Sequence, residues 1–307
     1  MPSPASTPER TLRRLDWTII RRLDGLLQGD YRTVFRGQGL DLADIREYVP
    51  GDDVRNIDWN VTARLDVPHV REYLEDREIT AHFLLDVSPS VDFGTASALK
   101  RDLLVDFVGV LSRLLTRHGN RVGAIVYGRH VEKVLPARGG RVQVLRLIDE
   151  LQRRPRLERA PETSLAELLE TALRTLKRRS LVFIVSDFFS TPGWERPLGL
   201  LARGHETLAI RLTDPREREL PDIGSVILTD SETGQALHID THDGRFRKRF
   251  AEVVDRRDRA LQATFRRAGI DTLELSTEED LVRSVVRFAA MRKLRRARQR
   301  AAARVAS

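Results

Sequence analysis

From Ile79 onward, short apolar segments alternate with longer amphipathic ones, and this alternation constrains the fold more than any other feature of the chain. The apolar segments are Ala81–Leu85, Val122–Tyr127, Leu181–Val185, Glu206–Leu212 and Thr272–Leu275, with Val131–Val134 placed as a hairpin edge. Leu181–Val185 is a continuous Val/Ile/Leu/Phe run with no polar alternate, the pattern of a strand covered on both faces. Between them, Ala96–Arg117, Arg141–Leu151, Ser164–Lys177, Trp194–Ala202, Phe246–Ala268 and Glu279–Arg292 space their apolar residues at three and four, as helices with one buried face do. Strand–helix alternation of this kind requires a doubly wound α/β fold: a mostly parallel sheet with helices on both faces. A further hairpin is expected between Ile223 and Ile239, turning at Glu232-Thr-Gly234.

The flanks read differently. Residues 1–10 are rich in Pro and Ser and are expected to be disordered. Residues 11–78 divide into a helix, with Leu12, Leu15, Ile19, Leu23 and Leu26–Leu27 on one face, and an irregular arm rich in turn residues. The α/β domain is expected over 79–290, followed by a basic tail over 291–307 that carries Arg292, Lys293, Arg295, Arg296, Arg298, Arg300 and Arg304.

Inventory excludes several chemistries. The chain contains no Cys, which removes disulfides, thiolate zinc sites and Cys nucleophiles. No Walker-type phosphate loop and no His-Glu-x-x-His occurs. No segment has the order of a secretion signal or the length of a membrane span, so a cytoplasmic location is expected. A formal charge of +8 raises the possibility of nucleic-acid binding. Outside the tail, however, the basic residues are interspersed with Asp and Glu along helical faces, the pattern of solvated surfaces.

In a doubly wound sheet, ligands bind beyond the carboxyl ends of the strands. Two strands there run into polar residues: Ala81–Leu85 into Asp86-Val-Ser-Pro-Ser90, and Leu181–Val185 into Ser186-Asp187. Asp86, Ser88 and Ser90 alternate, so a loop leaving the strand turns one carboxylate and two hydroxyls toward a common point. With Thr163 and Asp187 they form an oxygen-only donor set suited to Mg²⁺, or to Mn²⁺ or Ca²⁺. The same residue types also build N-caps and Asx-turns, and Ser164 with Glu167 reads equally well as a capping box.

These residues resemble the metal-ion-dependent adhesion site of von Willebrand A domains. The resemblance implies that Asp86, Ser88, Ser90 and Thr163 bind the ion directly or through water, that Asp187 completes the shell, and that a partner's carboxylate becomes a further ligand. Glu162 stands where that family often has Gly, which places a possible extra carboxylate beside the ion.

A second stretch is more specific. Gly39-Leu-Asp-Leu-Ala-Asp-Ile-Arg-Glu-Tyr-Val-Pro-Gly-Asp-Asp-Val-Arg-Asn-Ile-Asp-Trp59, followed by Thr62-Ala-Arg64 and Val70-Arg-Glu-Tyr73, resembles the bacterial domain of unknown function 58 family. That resemblance implies a von Willebrand A-like fold and a partnership with a MoxR-type AAA+ ATPase. It also implies a non-enzymatic, chaperone-like role in maturing or assembling other proteins. Many members carry membrane helices; this chain resembles the soluble ones.

Within the arm, Asp52, Asp53, Arg55, Asp58 and Trp59 have two readings: a buried polar network pinning the arm to the sheet, or a docking surface for the ATPase. The alternatives to an adaptor are a Mg²⁺-dependent phosphotransferase or hydrolase using Asp86 and a nucleic-acid module using the basic tail. A phosphoryl-accepting Asp commonly has a second acid two residues on, where this chain has Ser88.

Overall fold

The computed structural model describes residues 7–23, 45–49, 52, 54, 57–71, 79–96, 98–155, 160–229 and 234–305. At its centre is a six-stranded sheet made of β3 (Thr80–Asp86), β4 (Arg121–Tyr127), β5 (Val131–Arg138), β6 (Leu181–Ser186), β7 (Glu206–Thr213) and β10 (Asp271–Ser276). Its order is β10-β7-β6-β3-β4-β5, and every pair is parallel except β4 with β5. The architecture is the expected α/β doubly wound one. Strand β5 runs four residues beyond the expected edge and includes Pro136, which an edge strand tolerates because no neighbour needs its missing N–H.

Strand side chains alternate between two cores, as a period of two demands. Ala81, Phe83 and Leu85 of β3 and Leu181, Phe183 and Val185 of β6 face one core. Leu84, Val182 and Ile184 face the other. On the first face lie α1 (Pro8–Leu15), α3 (Lys100–Arg117), α4 (Gly140–Arg153) and the start of α8 (Leu281–Val305). On the second lie α5 (Leu165–Thr175), α6 (Glu195–Gly204) and α7 (Gly244–Ala268).

The chain leaves β3 for β4 on one side and later returns to β6 on the other. Parallel βαβ connections therefore diverge between β3 and β6, and the crevice outside their carboxyl ends is the topological switch point. Both candidate loops open there.

The flanks differ from expectation in two places. Helix α1 begins at Pro8, inside the segment expected to be disordered: Thr7 caps it by accepting the Arg10 N–H, and Pro at the first helical position needs no acceptor. The helix continues through a π-helical turn, Asp16–Ile20, and buries Leu12, Leu15, Ile19, Ile20 and Leu23 in the first core. It is therefore a wall of the α/β domain and not an appendage. At the other end, the basic tail is the continuation of α8 as far as Val305, and the tail residues Arg292 and Arg295 pair with Asp271, Arg292 also with Glu206.

In the arm, β1 (Ile45–Glu47) pairs antiparallel with β2 (His69–Arg71), and α2 (Trp59–Leu65) lies between them. The expected hairpin is present as β8 (Ser225–Thr229) against β9 (Ala236–Asp240); most of its turn lies outside the described residues.

Candidate metal centre

Asp86 ends β3 with no solvent exposure. Its Oδ1 accepts the Ser88 N–H at 3.0 Å, an Asx-turn that fixes the loop, while Oδ2 accepts the hydroxyl of Ser186, the last residue of β6, at 2.6 Å. The Ser88 and Ser90 hydroxyls, both buried, lie 3.1 Å apart and cap nothing: the 3-10 turn Pro89–Asp92 that follows Ser88 has no side-chain cap. Burial, and then the neighbouring Asp187 carboxylate, push the Asp86 carboxyl up to about 6, against the hydrogen bonds from Ser186 and Ser88. No cation pairs with Asp86 among the described residues.

Asp187 is buried as well, but fully engaged. Its Oδ1 accepts the Phe189 N–H at 3.0 Å and its Oδ2 the Lys100 ammonium at 2.7 Å. Lys100, the first residue of α3, has no exposed side-chain surface, and its second carboxylate partner is Glu217 at 2.5 Å. Burial pulls the ammonium down, but the two carboxylates prevail and hold it above the ordinary lysine range. Burial, with the nearby Asp187 carboxylate, holds the Glu217 carboxyl above its ordinary range despite Lys100.

The turn after Asp187 is strained. Phe188 adopts φ 60°, a left-handed conformation that L-residues other than Gly avoid, at a cost of about 1–2 kcal/mol. Three contacts hold it there. Its ring packs edge-on to Phe265 with centroids 4.9 Å apart, its N–H donates to the Ser186 hydroxyl at 2.8 Å, and its carbonyl accepts from Arg257 at 3.0 Å. Arg257 in turn stacks 3.4 Å from the centroid of Phe189.

The Thr163 loop is tied to this turn. The buried Thr163 offers its carbonyl to the Thr191 N–H at 2.9 Å and to the Ser190 hydroxyl at 3.0 Å. The capping-box reading of Ser164 fails here: its side chain makes no cap, Ser190 Oγ accepts the Leu165 N–H instead, and Glu167 accepts the N–H of Val131 across on β5. Glu162 is exposed beside its buried neighbour.

The donor set suits a hard cation in kind. Among the described residues no group of three His, Asp or Glu side chains forms a ligand cluster, so a cation here would rest on the Asp86 carboxylate and the Ser88, Ser90 and Thr163 hydroxyls. An octahedral Mg²⁺ with oxygens at about 2.1 Å sets neighbouring ligands about 3 Å apart, the spacing of the two serine hydroxyls. The buried Asp86 carboxylate would supply the anionic ligand.

A second buried aspartate lies close by in the fold. Asp214, just after β7, accepts four hydrogen bonds: the Thr95 N–H at 2.7 Å, the Thr95 hydroxyl at 2.5 Å, the Thr277 hydroxyl at 2.7 Å and the Arg216 N–H at 2.9 Å. Burial raises this carboxyl, but those donors overcome it and leave it below the usual range. Its own N–H donates to Glu217 at 3.1 Å, so Asp214 holds both Glu217 and the loop that leads into Lys100. Lys100, Glu217 and Asp214 were missed by sequence reasoning, and Ser186 entered it only as the strand-end neighbour of Asp187. Two signals pointed to them: Lys100 is one of only five lysines among 53 basic residues, and Asp214 obeys the same strand-end rule as Asp86.

Of the arm residues, Asp58 is buried and caps α2, accepting the Val61 N–H at 3.3 Å. Asp52 accepts the Val49 N–H at 2.9 Å across its turn. Trp59 is 70% exposed and so takes no part in a buried network, one of the two readings of the arm. Asp53 and Arg55 lie outside the described residues.

The family model "Protein of unknown function DUF58" matches residues 44–260, more than half of the chain. The chain belongs to the DUF58 family. Among its relatives, uncharacterized protein Rv1480 of Mycobacterium tuberculosis is 38% identical over 282 residues, covering 92% of this chain and 89% of that protein. Uncharacterized protein MAV169 of Mycobacterium avium is 37% identical over 159 residues, 52% of this chain and 94% of that protein. Among solved structures, conserved hypothetical protein BatB from Bacteroides thetaiotaomicron aligns with a TM-score of 0.45 at 13% identity, covering 70% of this chain and 98% of that one. No helix among the described residues is long and apolar enough to cross a membrane.

Proposed function

We propose that this DUF58 chain is a non-enzymatic, cation-dependent protein-binding adaptor. In this reading Asp86, Ser88, Ser90 and Thr163 hold Mg²⁺, or Mn²⁺ or Ca²⁺, with Asp187 at the flank. The ion supplies a Lewis-acidic position that accepts a carboxylate from a client protein. The working partner is a MoxR-type AAA+ ATPase in the cytoplasm, and the task is chaperone-like maturation or assembly. The observation that carries the proposal is Asp86: a fully buried carboxylate with two adjacent hydroxyls and, among the described residues, no cation paired with it. A buried charge left unbalanced is costly enough that a protein retains one chiefly where a ligand completes it.

The exposed Trp59 supports a docking role for the arm, since a large aromatic on the surface is an interface anchor in waiting. The basic tail favours a nucleic-acid role less, because Arg292 and Arg295 already pair within the chain.

The test is affinity capture with the intact protein, in Mg²⁺ and in chelator, for wild type and Asp86→Asn. Retention of an AAA+ ATPase that needs both Mg²⁺ and Asp86 is the expected result. Retention indifferent to the chelator sinks the proposal. Phosphoester hydrolysis by the purified protein that is lost in Asp86→Asn would favour the enzyme reading instead.

A further inference from the structure

We propose that Lys100 sets the cation affinity of this site by withholding Asp187 from it, so that the ion is held by a single protein carboxylate and stays receptive to a second one from outside. The inference rests on reading Asp86, Ser88, Ser90 and Thr163 as a cation site.

Its basis is the geometry of the ammonium. Lys100 is wholly buried and bridges Asp187 at 2.7 Å and Glu217 at 2.5 Å. The other Asp187 oxygen accepts the Phe189 N–H, so neither oxygen of that carboxylate is without a donor. Lys100 is also a cation at the first position of a helix, where the helix dipole disfavours positive charge, so its location answers to the carboxylates and not to α3. The rings of Phe93 and Phe189 stand 5.7 and 5.6 Å from the ammonium, shielding it and favouring it electrostatically. A compact ammonium suits this closed position, whereas a forked guanidinium needs a wider one. That accounts for a lysine in a chain whose basic residues are overwhelmingly arginine.

The chemical consequence is a difference in charge. A divalent ion on Asp86 and three hydroxyls keeps a net positive charge, which favours an anionic ligand from a partner. With Asp187 released, the protein alone would neutralise the ion and that preference would fade. Lys100 thereby selects for a carboxylate-bearing partner without touching it.

The test is a double-mutant cycle read by Mn²⁺ titration of the intact protein, with calorimetry or Mn²⁺ electron paramagnetic resonance as the readout. Lys100→Met is expected to bind Mn²⁺ about tenfold more tightly or better, since a freed carboxylate beside the ion is worth at least that much in a partly buried site. Asp187→Asn is expected to weaken Mn²⁺ binding in the wild-type background, because it leaves the Lys100 ammonium less compensated beside the ion, and to erase the gain in the Lys100→Met background. Lys100→Met strands two carboxylates, so Lys100→Met/Glu217→Gln, which strands one, carries the same expectation if the single variant does not fold.

An unchanged affinity in Lys100→Met, or a gain that survives Asp187→Asn, overturns the inference while Asp86-dependent binding leaves the site reading standing. Absence of Mn²⁺ binding in both wild type and Lys100→Met overturns the two together.

Discussion

Asp86 and Asp214 are the same residue in nearly the same place. Each stands at the carboxyl end of a parallel strand of one sheet, and each is completely buried. Their surroundings separate them. Asp214 accepts four hydrogen bonds, and its carboxyl lies below the usual range; Asp86 accepts two, lies beside a second carboxylate, and is pushed up to about 6. Burial alone therefore does not mark a functional carboxylate. The donors and charges around it do, because each donor replaces part of the water the charge has lost and a like charge beside it opposes ionisation.

That contrast is open to direct attack, and the largest effect belongs to Asp214. Asp214→Ala strands the Thr95 and Thr277 hydroxyls and two N–H groups, and is expected to cost about 3–5 kcal/mol of unfolding free energy in urea. A loss below about 1 kcal/mol would erase the distinction. Asp86→Asn removes an unbalanced buried charge while keeping an acceptor, so metal-free stability is expected to rise or to change by less than about 1 kcal/mol. The same variant is expected to lose the stabilisation that wild type gains from Mn²⁺, about 2.7 kcal/mol at a hundredfold excess over Kd, measured as a shift in thermal midpoint.

Thr277→Val tests one arm of the Asp214 network and is expected to cost about 1.5 kcal/mol in the same denaturation experiment, the value of one hydrogen bond to a charged acceptor.

An effect confined to acid belongs to a half-buried base within β3. Burial, and then His205, lower His82 to about 4. Between pH 6.5 and about 4 the unfolded chain binds a proton there that the folded chain refuses, so stability is lost as pH falls through that window and is unaffected above it. His82→Asn should flatten this part of the stability–pH curve, measured by urea unfolding at a series of pH values. An unaltered slope would assign the acid sensitivity to other groups.

How much of this was legible in the chain follows the range of the interactions. The sheet and its helices were legible because strand and helix periods are local properties, and continuous apolar runs such as Leu181–Val185 admit few alternatives. Asp86, Ser88 and Ser90 were legible because they are consecutive alternates after a strand. Lys100 and Glu217 were not: Lys100 lies far from both of its partners in sequence, and nothing in the helix that carries it announces burial. The capping box at Ser164 was locally plausible and lost to tertiary contacts, with Glu167 drawn to β5 and Ser190 taking the N–H that Ser164 was expected to satisfy. The start of α1 is hidden in the sequence because Pro and Ser in residues 1–10 read as disorder, whereas Pro8 after Thr7 is a helix starter.

Helix α1 has a practical consequence for where this family is cut. The family match starts at residue 44 and stops at 260, within α7, yet Leu12, Leu15, Ile19 and Ile20 pack in the same core as α3 and α4, and the sheet's outer strand β10 begins at Asp271. Recurrence of sequence and closure of a core are separate properties. A fragment trimmed to the match would lose the first-face wall, the outermost strand and the helix that covers it. It would expose the face of α3 around Gly109, against which Leu15 packs, to water, and behave as an aggregating remnant where the longer chain behaves as a domain. Residues outside a recognised span can thus belong to the folding unit as fully as those inside it.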